Sequence, residues 1–334
     1  MSSPRIPLAT PGSGHLVLTS PQSGRSKFSS LTASYPLKLL SPSPLPSTPH
    51  NLGTCYVLAY GGGLVAGDEI SLEIVVEHSA GLLLLTQGST KVFRTRPGLR
   101  PLSLGPTRSP LETSPSKTLQ RTHITVQPHA FLLLLPCAVQ PYASSSYHQA
   151  QRVHLVDSTA SVILLDWFTA GRSSRAEKSE EWEFERYSSL NEVVLGDKVI
   201  MRERTVLENP THSKTTSTPP FSSGSHKTAQ PTSSLAARMH PYKTYATLLI
   251  SGPHFHPLLQ TLQSLSQHPS QTIFQSSQPN PLLIYSYSPL EKGQAGVLRV
   301  AGGETEVVGE FIRGVLERGE VDGLVGKGLW ERIW

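Results

Sequence analysis

The chain has 334 residues, of which 16% are charged, and 29 Lys and Arg against 24 Asp and Glu leave a formal net charge of +5. That length holds one large or two ordinary domains, and the mild basicity is spread out, without the Lys/Arg run of a nucleic-acid footprint. Two cysteines, Cys55 and Cys137, exclude a disulfide framework and any CxxC zinc site, and the longest apolar runs, such as 130–135, are far too short to cross a bilayer.

The opening M-S-S-P-R-I-P-L-A-T-P has no apolar core of a secretory signal. A cytoplasmic protein with no nucleic-acid or membrane partner is expected. Residues 14–19 alternate apolar and polar side chains and 27–40 contain S-Y-P-L-K-L-L; both stretches read as short strands. The proline-rich stretch 41–50 reads as a loop, and 55–60 as a strand leading into Gly61-Gly62-Gly63-Leu64-Val65-Ala66-Gly67-Asp68. A glycine cluster beside an acid invites a nucleotide site. A Walker loop, however, ends in Gly-Lys-Ser/Thr and opens a helix. This loop ends in Asp68, which would repel phosphate, and no lysine follows until Lys91. Ile70, Leu72, Ile74 and Val76 then alternate with Ser71, Glu73 and Val75, the period of a half-buried strand. The glycines therefore connect two strands, with several positions free to take positive φ.

Residues 97–119 and 209–234 are rich in Pro, Ser and Thr and have no periodicity. With 41–50 they read as flexible insertions in a single domain spanning 1–334. Setting them aside exposes an internal repeat. V-E-H-S-A-G-L-L-L-L at 76–85 aligns without a gap on V-Q-P-H-A-F-L-L-L-L at 126–135 and V-D-S-T-A-S-V-I-L-L at 156–165. Each copy is a strand, a polar turn, an alanine and a second strand apolar on both faces. Such strands are covered on both sides, so the copies are expected to stack and form the core. Trp182 and Phe184, alternating with Glu183 and Glu185, extend the β pattern, and 193–201 reads as a hairpin around Gly196-Asp197-Lys198. A further strand is expected at 246–250. Pro257 starts a helix through Leu265, and Thr305 caps a second one carrying Val307, Val308, Phe311, Ile312, Val315 and Leu316.

The chain contains 13 histidines. His254 and His256 share a face if extended, and His148 and His154 lie near Asp157 in sequence, yet no HExxH, EF-hand or paired-cysteine pattern occurs. There is also no nucleophile elbow. The polar exits of the three repeats, 86–94, 136–141 and 166–172 followed by Glu177, carry more information. Clustered at one end, they would bring Gln87, Lys91, Cys137, Asp166, Arg172 and Glu177 to one surface or channel.

With these pieces assembled, the chain resembles the D-type urease accessory proteins (called H in some bacteria), in a fungal-like form. The resemblance rests on S-Y-P-L-K-L-L at 34–40, G-G-G-L-V-A-G-D at 61–68, T-Q-G-S-T-K-V-F-R at 86–94, V-Q-P-Y-A-S-S-S-Y at 139–147, D-W-F-T-A-G-R-x-x-R-A-E-K at 166–178 and M-H-P-Y-K-T-Y-A-T-L-L at 239–249. It implies an all-β, helix-like stack of strands, solenoid- or sandwich-like, with about two helices in the C-terminal third. It also implies a non-enzymatic protein without a tightly bound cofactor. Such a protein binds an F-type accessory protein that recruits a G-type GTPase, and the assembly passes transient Ni(II) through an internal tunnel to apo-urease. Family motif positions fall on Gly61, Gly63, Gly67, Asp68, Thr90, Lys91, Gly171, Arg172 and Glu177, and the implied nickel path on Asp68, Cys137, Asp166 and Glu177. Two positions depart from the pattern: Cys137 follows Pro136 where the family usually has an acid, and Ala176 replaces the second glycine of G-R-x-x-x-G-E. Two other classes stay open on residues alone, a hydrolase or nucleotide-dependent enzyme using the glycine loop, and a β-repeat interaction module without a metal role.

Overall fold

The computed structural model describes residues 10–21, 24–94, 117–172, 180–209, 234–266 and 283–333. Among them the chain forms eighteen strands and five α-helices. The first stretch gives β1 (Ser13–Thr19), β2 (Lys27–Ala33), β3 (Leu37–Leu40), β4 (Leu52–Ala59), β5 (Gly63–Leu64) and β6 (Glu69–Val76). The repeats and their exits give β7 (Gly81–Thr86), β8 (Thr90–Val92), β9 (Thr118–Val126), β10 (Phe131–Leu134), β11 (Val139–Pro141), β12 (Ser146–Leu155) and β13 (Ser161–Thr169). The hairpin is β14 (Arg186–Leu195) with β15 (Lys198–Glu208). Then come α1 (Leu235–Met239), β16 (Thr244–Ser251), α2 (His256–Ser266), β17 (Leu283–Leu290), β18 (Ala295–Gly302), α3 (Thr305–Arg318), α4 (Val321–Val325) and α5 (Lys327–Trp330).

These strands make two sheets. One has the order β15-β14-β12-β9-β6-β1-β2; the other follows β17-β18-β16-β13-β10-β7-β4-β3, with β11, β8 and β5 attached beside β13. Each repeat puts its first strand in one sheet and its second in the other. The second strands stack in parallel, Leu82 on Leu132 on Val162, in the register of the gapless sequence alignment. The first strands keep that register between Val76 and Val126 but not beyond, because Val126 pairs with Leu155 rather than Val156. The third turn thus holds one residue more.

Strand alternation explains why the leucine runs are apolar throughout. Leu82, Leu84, Leu132, Leu134, Val162 and Leu164 enter the layer between the sheets, where they meet Leu72, Ile74, Ile124 and Val153. Leu83, Leu85, Leu133, Leu135, Ile163 and Leu165 face the other way, into a layer that includes Leu258 and Leu262 of α2 and Ile312 and Leu316 of α3. Each such side chain adds ~1.5–3 kcal/mol by leaving water. One sheet is therefore covered by the other sheet on one face and by helices on the other.

The fold is predominantly β, as read, with departures that have physical causes. Antiparallel pairs flank the parallel centre at β1–β2, β3–β4, β14–β15 and β13–β16, and both sheets stay open, which does not amount to a regular solenoid. Five helices appear instead of about two; α1, α4 and α5 span five, five and four residues, too short for a helical stripe to show in sequence. Helix α3 starts at Thr305, but Glu304 occupies the cap position and the Thr305 hydroxyl instead meets that of Thr244 at 3.1 Å. Trp182 and Phe184 lie outside any strand, Trp182 at φ 63°, although both are buried between the sheets. The insertion bounds tighten as well: Thr118 and Leu119 belong to β9, Asn209 is buried, and Ser234 caps α1 by accepting from the Ala237 amide at 3.2 Å. Residues 97–116 and 210–233 of those insertions lie outside the described residues. After Tyr60–Gly62, which form a single tight turn, the glycine loop passes through β5 into β6; no helix follows it.

Candidate site between the sheets

The three repeat exits do come together. Val139 of β11 pairs with Thr90 of β8 and with Phe168 of β13, and Gln140 pairs with Lys91. On the far side of β8, Gly63 of β5 pairs with Lys91 and Leu64 with Val92. The glycine loop and all three exits thus share one corner of the second sheet. Close backbone approach fixes two of its glycines: a Cβ on Gly63 would lie 2.6 Å from the Lys91 carbonyl, and one on Gly171 would lie 2.7 Å from that of Pro141. Gln140 Nε2 donates to the Gly171 carbonyl at 3.2 Å, and the exposed Arg172 guanidinium lies 5.9 Å from the Tyr142 ring centroid. Lys91 is exposed. Glu177 lies outside the described residues.

Asp68 is 3% exposed and closes its own loop: Oδ2 accepts from the Val65 amide at 2.9 Å, while its carbonyl accepts from the Leu119 amide at 2.8 Å. It holds the glycine loop to the start of β9. Asp166 is also buried, but it points between the sheets rather than out of an exit. Its Oδ2 accepts from Ser189 Oγ and Asn191 Nδ2, both at 2.6 Å, and its Oδ1 from Gln149 Nε2 at 3.1 Å. The Tyr147 hydroxyl lies 2.9 Å from Gln149 Oε1 and 3.0 Å from Gln120 Oε1, and Gln151 Nε2 donates to Asn191 Oδ1 at 2.9 Å.

Register explains this gathering. Gln120, Gln149 and Ser189 sit side by side on β9, β12 and β14, and Thr122, Gln151 and Asn191 form the next rung. Two polar rungs on the inner face of one sheet thus meet Asp166 of the other. A cavity of about 40 Å³ opens beside them, with Thr86, Thr90, Cys137, Gln149 and Asp166 in its wall. That is room for a water molecule or a bare ion. Burial pushes the Asp166 carboxyl above its ordinary value, against the opposing pull of its hydrogen bonds from Ser189, Asn191 and Gln149. Burial likewise raises the phenols of Tyr147 and Tyr187, and the Asp166 charge adds to it.

Of the predicted donors, Cys137 and Asp166 share this cavity and Asp68 stands outside its wall. Cys137 is half-buried, its amide donating to Thr86 Oγ1 at 2.8 Å, and the indole of Trp167 pins the preceding Pro136 carbonyl at 2.8 Å. Cys55 is the contrast: burial pushes its thiol up to about 12. Since the thiolate is the reactive form, iodoacetamide is expected to label Cys137 in the folded protein and Cys55 only after unfolding. Peptide mapping that finds both labelled at equal rates would contradict this placement. Among the described residues no group of three or more His, Cys, Asp and Glu is arranged to hold a metal ion. His254 lies in a tight turn and His256 begins α2, so they do not form the extended pair considered above. His154 Nε2 contacts the Gly196 carbonyl at 2.9 Å, and Asp157 bonds Thr159.

The family described as UreD urease accessory protein matches residues 12–334. The chain belongs to that family. Relatives of this UreD chain include "Urease accessory protein 4" of Cryptococcus neoformans var. grubii, 45% identical over 99% of both chains. "Urease accessory protein UreD" of Sorangium cellulosum is 33% identical over 91% of this chain and 79% of its own length. "Urease accessory protein D" of Arabidopsis thaliana is 28% identical over 87% of this chain and 90% of its own. Sequence reasoning missed most of the UreD polar rungs: Gln120, Thr122, Tyr147, Gln149, Gln151, Ser189 and Asn191. Their signal was parity, since Tyr147, Gln149 and Gln151 continue the alternation of the buried Val153 and Leu155.

Proposed function

We propose that this UreD chain is a non-catalytic scaffold that passes Ni(II) from a G-type GTPase, held through an F-type accessory protein, to apo-urease in the cytoplasm. One observation carries the reading: a hydrogen-bonded polar layer inside an otherwise apolar sandwich, with the Cys137 thiol and the Asp166 carboxyl in the wall of one cavity. Ni(II) accepts sulfur, nitrogen and oxygen donors. A conduit needs weak successive contacts, because a closed high-affinity site would trap the ion. Two ionisable donors spaced among amides and hydroxyls suit passage better than storage. Cys137 is the donor near the exits and Asp166 the internal one, with Asp68 and Glu177 as further acids of the implied path.

Pulldown of the tagged chain from its host is expected to bring urease and the other accessory proteins with it. Cys137→Ala and Glu177→Ala are expected to lower urease activation several-fold while the variants still recover the partners. Normal urease nickel content in both variants would remove these side chains from the path, and absence of urease and its accessory proteins from the pulldown would sink the scaffold reading.

A further inference from the structure

A second cavity lies on the opposite side of the helix-covered sheet. Alternation along β4 separates the two: Cys55 and Val57 face the layer between the sheets, whereas Leu52 and Tyr56 face the other way. This cleft, of about 380 Å³, opens between the loop 41–50, the start of β2 and the C-terminal end beside α5. Its size falls in the range of small-molecule sites, ~300–1,000 Å³.

The walls are fixed. Thr48, 3% exposed, accepts at Oγ1 from the Leu45 amide at 3.1 Å, and its carbonyl accepts from Arg25 Nη1 at 2.9 Å. On the other side α5 is pressed onto the loop, since a Cβ on Gly326 would stand 2.2 Å from the Ser47 carbonyl. The proline-rich loop is therefore a built wall.

The chemistry of the lining is one-sided. Phe28, Leu45, Leu52 and Leu329 supply an apolar surface, Lys27 and Arg332 supply positive charge, and among the described residues no carboxylate takes part in the lining. Neither cation forms an ion pair among the described residues. Ser26 contributes a buried hydroxyl without a hydrogen-bond partner among the described residues. Two cations without an ion pair among the described residues, set at an apolar cleft, raise the local concentration of anions, and Lys and Arg form their strongest hydrogen bonds with carboxylate or phosphate.

We infer that this cleft binds a small organic anion, a carboxylate or phosphate head on an apolar body, with Lys27 and Arg332 on the head. The site is independent of the nickel reading, so the failure of either leaves the other standing.

The test is calorimetric titration of the full chain with benzoate and phenyl phosphate, set against inorganic phosphate and benzyl alcohol. Both aryl anions are expected to saturate a single site, and the preferred one identifies the head group. Phosphate without the ring, or the ring without the charge, is expected to bind at least ~10-fold more weakly. Lys27→Ala and Arg332→Ala, both at exposed positions, should each weaken the better aryl anion by ~10-fold, the loss of one charge-assisted hydrogen bond. Their melting temperatures without ligand should stay unchanged. No saturable binding of either aryl anion at millimolar concentration would overturn the site, as would binding unaltered in the double variant. Benzyl alcohol binding as well as benzoate would overturn the anionic character, and inorganic phosphate matching phenyl phosphate would overturn the apolar body.

Discussion

Asp166→Ala is expected to destabilise the protein by about 3 kcal/mol, measured by urea unfolding. The carboxylate accepts from three side chains on the facing sheet, Gln149, Ser189 and Asn191. Alanine would leave those buried donors without their acceptor, each at a cost of ~1 kcal/mol or more. Asp166→Asn separates charge from shape. Burial outweighs the hydrogen bonds and holds the Asp166 pKa above its ordinary value of 3.8. Between the ordinary and the raised value the folded protein binds this proton more tightly than the unfolded chain. The resulting stability is fully present below the unfolded pKa and is lost as pH rises through the folded one. Wild type minus Asp166→Asn should therefore fall with rising pH across that window. A difference that grows with pH would mean that the donors outweigh burial and that the charged carboxylate is the favoured form in the fold.

Where each side chain ends up was harder to read than which strands form. The repeat at 76–85, 126–135 and 156–165 was legible because long apolar runs bounded by turn residues leave few alternatives to covered strands. The slip at Leu155 was not, since an extra turn residue leaves the apolar pattern of Val162 to Leu165 untouched. The polar rungs stayed hidden for a related reason. In a half-buried strand polar residues are read as outward, yet Gln149 and Gln151 share parity with buried Val153 while Arg152 is exposed on the other face. Their partners come from strands far away in sequence, so only the parallel pairing of β9, β12 and β14 shows that each can be satisfied. Asp166 stood out as an acid leaving a repeat, but its direction depends on the facing sheet. The meeting of the three exits was legible because exits of stacked strands are bound to be neighbours, whereas the place of the glycine loop at the same corner shows only in the pairing of β5 with β8.

That corner gives the second large expectation. Gly171→Ala should cost ~3 kcal/mol or more, while Gly61→Ala should cost only ~1–2 kcal/mol. Both residues take positive φ, +115° at Gly171 and +79° at Gly61. Gly61 has open space where a Cβ would go, so only backbone strain is added. At Gly171 the Cβ would stand 2.7 Å from the Pro141 carbonyl and 3.2 Å from that of Glu180, and neither atom can yield as a flexible side chain would. Relief requires β11 to move away from β13, and β11 also holds β8. The strain should therefore reach Cys137, two residues before β11. Alkylation of Cys137 in the folded variant should be faster than in wild type, alongside the lower urea midpoint. Equal costs for the two substitutions, with Cys137 labelling unchanged, would mean that the junction has slack and that the glycine at 171 serves the turn alone.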